Sequence, residues 1–204
     1  MHFPVTVHRT RLGPQEYTVI RPARPPERAR LVDDDRFLNA YVDQGAARLM
    51  GGLWSLAASS PRTLIHVPLR HGGASPEPGA RRLDLVLLHH SLQFAPSRWK
   101  ELRGRLGAGR RRSVTVSTAQ PEIDHAALHH AENRDLFHQH VHAETLFVTG
   151  SAKAFRETAG LFHDVAANGP GPGPAGDRHY CAQLRHGDDS ARVIHIEYSD
   201  PRTP

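Results

Sequence analysis

Apolar and polar positions alternate in short runs along much of the chain, and helical spacing takes over in only a few places. Phe3, Val5 and Val7, then Tyr17 and Val19, alternate around Gly13-Pro14 and predict one or two strands. Residues 21–30 are rich in Pro and Arg and predict an exposed connection. Asp33-Asp34-Asp35 offers N-cap candidates, and Phe37, Leu38, Tyr41, Val42, Leu49, Leu53 and Trp54 follow at helical spacing. That pattern predicts a helix, with a break at Gly45 or Gly51-Gly52. A strand is expected over 63–67, stopped by Pro68, and a buried strand over 83–88, after a Gly/Pro loop at 71–82. Pro96 opens a helix over 97–106 that ends at Gly107 and Gly109, and 113–117 reads as a strand. A polar helix is expected over 123–137, with His125, His129 and Glu132 on a solvated face. Residues 151–158 fit strand or helix, with a turn at Ala159-Gly160 before an apolar run at 161–165. After the Gly/Pro tract at 168–176, residues 180–185 and 192–196 read as a hairpin with an acidic turn.

The chain's 204 residues are enough for a real core. Lys100 and Lys153 are the two lysines among 26 cations, so arginine supplies 24 of the charges behind a formal net charge of +5. Such a bias fits a GC-rich coding sequence more simply than a nucleic-acid footprint. The dense run Arg110-Arg111-Arg112 reads as a solvated loop. One cysteine, Cys181, excludes an intrachain disulfide and a cysteine-based zinc knuckle, and is expected as a small buried thiol. No signal peptide and no membrane-length apolar run is visible, and a cytoplasmic protein is expected.

Sixteen histidines are the anomaly of composition. The richest stretch is His138-Gln-His140-Val-His142-Ala-Glu144. If extended, it carries His138, His140, His142 and Glu144 on one face, a plausible ligand set for a borderline divalent metal. His89-His90 either line a pocket or cap a strand end.

The C-terminal part resembles a cupin domain. The family's first motif, His-x-His then Glu, an apolar residue and Gly, is matched by His138, His140, Glu144, Val148 and Gly150. Its second, Pro-x-Gly-x-x-His, is matched by Pro174, Gly176 and His179. The resemblance implies an α+β chain: a mixed α/β N-terminal portion over 1–118, then a cupin-like β-barrel over 119–204. It implies His138, His140, Glu144 and His179 as ligands of a divalent metal, with Fe(II) favoured and Zn, Ni or Mn as alternatives. His142 is then a rim residue. A narrower likeness to the thiol dioxygenases points to His186 and Tyr198 as catalytic groups. The implied function is a metal-dependent oxygenase or isomerase/cyclase of bacterial secondary metabolism, acting on a small molecule. Neither nucleic acid nor a membrane is an expected partner, and a homodimer stays open.

Two alternatives stand beside it. Residues 83–117 resemble the late β-α-β unit of S-adenosylmethionine methyltransferases, but His71-Gly-Gly73 lies too close upstream to be the cofactor loop. What remains is a metal-free α/β enzyme using histidine acid–base chemistry. The third possibility is a non-catalytic ligand- or nucleic-acid-binding protein driven by its arginines.

Overall fold

A computed structural model describes residues 1–71, 79–119, 135–171, 180–185 and 191–199. The chain is α+β, built on two mixed sheets. In the first sheet, β1 (His2–Leu12) and β2 (Gln15–Pro22) are two strands joined as a hairpin, with Gly13 at φ 64 in the turn. β3 (Ala29–Asp33) and β4 (Leu38–Val42) form a second hairpin, which belongs to the other sheet. The helix expected from Asp33 therefore begins later. Asp34 Oδ1 instead accepts the N–H groups of Arg36 and Phe37, closing a turn in which Asp35 sits at φ 70. Asp43 is the true N-cap, accepting from the Ala46 N–H at 2.7 Å, and α1 spans Gln44–Ser59.

β5 (Thr63–Val67), the short β6 (Arg81–Arg82) and β7 (Asp84–His89) follow. A 3-10 turn at Pro96–Arg98 leads into α2 (Trp99–Gly104), shorter than the sequence implied. Arg110–Arg112 is not a loop. It opens β8 (Arg110–Thr115), which pairs antiparallel with β1. The expected helix at 123–137 lies largely outside the described residues, as do His125, His129 and Glu132. β9 (His138–His142) and β10 (Thr145–Gly150) form a hairpin, and α3 (Ala152–Asn168) runs through Gly160 without a turn. β11 (Cys181–Leu184) and β12 (Ile194–Tyr198) pair antiparallel, as the C-terminal pattern implied.

The larger sheet has seven strands in the order β8-β1-β2-β5-β7-β10-β9, and the smaller has five in the order β11-β12-β4-β3-β6. Each is open, and among the described residues neither closes into a barrel. Strands from both sides of residue 118 share both sheets: β7 pairs parallel with β10, and β4 parallel with β12. The segments expected as separate portions are therefore woven into one core.

Side-chain parity divides the large sheet into two faces. On one, Ile65, Val67, Leu85, Leu87, Leu146 and Val148 meet α1, α3 and the small sheet. There Trp54 packs 4.6 Å from Phe162, and a Cβ on Gly51 would meet the His163 ring at 2.7 Å. On the opposite face, Leu12, Tyr17, Val19, Leu64, Val86, Leu88 and Phe147 are covered by Phe94, Trp99 and Leu102. Among the described residues no helix is long and apolar enough to cross a membrane.

Candidate functional site

The histidine stretch is extended as far as His142. His138, His140 and His142 lie opposite Thr149, Phe147 and Thr145, so all three share the sheet face that carries Phe147. Glu144 does not join them. Ala143 and Glu144 form the two-residue hairpin turn with φ 46 and 57, and the Glu144 carboxylate is ion-paired with Arg70. Two-residue hairpins favour positive φ at both central positions because that twist matches the strands. Alanine adopts it at a cost. Ala143→Asn is therefore expected to stabilise the fold by about 1 kcal/mol, read as a rise in melting temperature of roughly 2–4 °C.

Of the other ligand and catalytic residues implied by the cupin resemblance, only Glu144 and Tyr198 are among the described residues. His179 and His186 lie outside the described residues, as do Pro174 and Gly176. Tyr198 is at the far end of β12 in the small sheet, where its ring packs on Gly169. Among the described residues no group of three or more His, Cys, Asp or Glu side chains is placed to hold a metal. Glu144 lies in the turn, off the histidine face, with its carboxylate paired to Arg70. Cys181 is exposed on β11 rather than buried. His89 caps the chain after β7, its Nδ1 facing Ser91 Oγ at 2.7 Å and accepting from the Ser91 N–H.

Two clusters that the sequence did not point to are present. The first is buried and centred on Asp84, whose side chain is 4% exposed. Asp84 Oδ1 accepts the N–H groups of Leu69 and Arg70, and Oδ2 accepts from Arg70 Nε at 3.1 Å and faces Arg103 at 3.5 Å. His66 lies beside it, with Nδ1 accepting from Arg21 Nε at 2.8 Å. That bond places the ring proton on Nε2, which is 3.8 Å from Asp84 and has no hydrogen-bond partner. Trp99 covers the ring at 4.9 Å. Burial pushes the Asp84 carboxyl up, but the His66 ring and the two backbone N–H groups outweigh it and hold it well below its ordinary value. Burial lowers His66 and keeps it neutral, against the pull of Asp84. Every acceptor of Asp84 is engaged and the group is sealed, so it fixes the 68–70 loop on the sheet.

The second cluster is open. Where β8 departs from β1, beyond the last pair Val7–Arg110, a cleft of about 500 Å³ forms. Arg9, Arg110 and Arg112 line it together with Val7, His8, Gly107 and Gly109. Val5 opposes Arg112 and Val7 opposes Arg110, so the two β8 guanidiniums leave one face of the sheet. Arg9 leaves the same face two residues beyond Val7. All three arginines are exposed, and none has a charged or hydrogen-bonded partner among the described residues. Among the described residues no carboxylate lines the cleft.

Its floor is fixed. His8 is 6% exposed and its Nδ1 lies 2.8 Å from the Gly107 carbonyl, which can only accept, so Nδ1 carries the proton. Burial lowers the His8 pKa, opposed by the Gly107 bond and helped by Arg21. Gly109 sits at φ 72, and a Cβ there would meet Thr6 and His8 at 2.6–2.7 Å. Glycine is required on both counts. The signal that could have drawn attention to one half of the cleft is the charge imbalance between 98 and 112, where Arg98, Lys100, Arg103, Arg105, Arg110, Arg111 and Arg112 stand with one acid, Glu101.

No protein-family model, curated protein or solved structure matches the chain.

Proposed function

We propose that the protein binds a small, multiply charged anion in the cleft between β1 and β8, a phosphate-bearing molecule being the class that suits it. Support comes from three exposed arginines, Arg9, Arg110 and Arg112, that line one cleft with no carboxylate among its described lining residues. Guanidinium presents paired donors that match phosphate oxygens, and three of them balance a di- or trianion. A cleft of about 500 Å³ is of small-ligand size. Charged side chains on an edge strand also discourage strand addition, but that role does not call for Arg9 on the neighbouring strand to line the same cleft.

Non-catalytic binding accounts for these groups without a reacting residue. The oxygenase or isomerase alternative needs Glu144 as a metal ligand, for which the carboxylate would have to leave Arg70. It also asks Tyr198, in the other sheet, to serve the same site.

Calorimetric titration of the untagged protein with inorganic pyrophosphate tests the proposal. Removing two exposed guanidiniums in Arg110→Ala/Arg112→Ala is expected to cost roughly 2 kcal/mol, a loss of about thirtyfold in affinity. Raising salt from about 0.05 to 0.5 M, where screening shortens to a few ångströms, is expected to weaken binding about tenfold. Parallel titrations with citrate and duplex DNA separate phosphate selectivity from general anion attraction. Salt-independent binding, or an unaltered double variant, would sink the proposal.

A further inference from the structure

The large sheet ends at β8 on one side and at β9 on the other. The β9 edge carries the histidines that the anion cleft does not use. We propose that His140 and His142 form a chelating pair for a borderline divalent transition-metal ion such as zinc, nickel or copper. The pair differs from the ligand set of the cupin resemblance: it takes His142, there a rim residue, and leaves out Glu144 and His179.

The geometry follows from the hairpin. His140 opposes Phe147 and His142 opposes Thr145, so both imidazoles rise from one face of one strand. Their ring centroids are 6.2 Å apart and the planes differ by 20°. A metal bound by two imidazoles at about 2.1 Å each needs ring nitrogens roughly 3 Å apart. Side-chain rotation alone brings two such rings to that separation. Neither ring gives up a hydrogen bond among the described residues to do so. His138 shares the face but already has a partner, so it lies outside the minimal pair.

The surrounding charges permit a cation. Glu144, two residues on, and Arg70 neutralise each other. The Pro96–Arg98 turn packs near β9, but the Arg98 guanidinium lies against Gly13, at the far end of the β1–β2 hairpin. Imidazole is the ligand that borderline metals favour over calcium or magnesium, and an edge strand leaves the remaining positions to water. With no acid in the pair, hard cations gain little there.

Zinc titration of the untagged full chain by calorimetry tests the pair, with copper loading read by electron paramagnetic resonance. One saturable equivalent is expected, weakened at least tenfold in His140→Ala and in His142→Ala and unchanged in Glu144→Gln and His179→Ala. The copper spectrum is expected to show nitrogen coupling that is lost in both histidine variants. Pyrophosphate affinity is expected to stay at wild-type level in all four, which separates this outcome from that of the anion cleft. Absence of saturable zinc binding overturns the pair, as does retention of it in His142→Ala. Loss in Glu144→Gln or His179→Ala equal to that in His140→Ala also overturns it, because the metal then sits in a different set.

Discussion

Asp84→Ala is expected to destabilise the fold by about 3–5 kcal/mol, because removing one partner of a buried ionic cluster strands the others. For a chain of this size that lowers the melting temperature by roughly 10 °C. Several groups lose their acceptor at once: the N–H groups of Leu69 and Arg70, the Arg70 guanidinium and the more distant Arg103. The Leu69 N–H is buried and cannot be resolvated cheaply. Arg103→Ala, by contrast, removes a side chain that is 32% exposed from a longer contact and is expected to change stability by less than about 1 kcal/mol. Thermal unfolding of the two variants side by side measures the difference. Equal, small shifts would mean that Asp84 does not organise the loop.

Acid is expected to remove stability in two separate windows. His8, His66 and His163 are all lowered from the ordinary value of 6.5, each chiefly by burial. The unfolded chain therefore takes up their protons first. Their contribution is whole above pH 6.5 and declines as pH falls below it. The second window belongs to carboxylates. Burial raises Asp33, but hydrogen bonds from Arg192, Arg81 and the Asp35 N–H outweigh it and bring its pKa from 3.8 down to about 2. That stability is complete above pH 3.8 and is lost as pH falls through about 2. It amounts to about 2 kcal/mol for Asp33, with Asp84 adding in the same direction. Melting curves from pH 8 to 2 are expected to show both declines. In Asp33→Asn the gap from wild type should be widest above pH 4 and should close toward pH 2. A constant gap would contradict the assignment.

Periodicity revealed the strands where the chain offered only one interpretation. Thr63–Val67 and Asp84–His89 are β-branched or apolar runs with clear stops, and both are strands. The segment from Asp33 to Trp54 misled for a physical reason. Leu38, Tyr41 and Val42 satisfy helical spacing, yet Asn39 and Ala40 are buried as well, which only a strand between neighbours explains. Three aspartates also offered a cap ahead of the real one at Asp43.

The histidine stretch was legible through His142. Its turn was not, because Ala143-Glu144 lacks the Gly or Asn that usually marks positive φ. The turn takes Glu144 off the strand face of the histidines and sets its carboxylate against Arg70. The anion cleft was illegible because its halves, Arg9 and Arg110–Arg112, are about a hundred residues apart in sequence. Only the β1–β8 register aligns them. The Asp84 cluster was hidden in the same way, its members drawn from β2, β5, the loop after it, β7 and α2.

The most direct check on the anion cleft is to map where the ligand lands. Nitrogen-15-labelled protein titrated with inorganic pyrophosphate at low salt is expected to show saturable amide shifts at Val7, His8, Arg9, Gly107, Gly109, Arg110 and Arg112, the residues that line the cleft. Shifts concentrated instead at 138–142 on the opposite edge of the sheet, or uniformly small shifts that never saturate, would contradict the assignment of the cleft as the binding site.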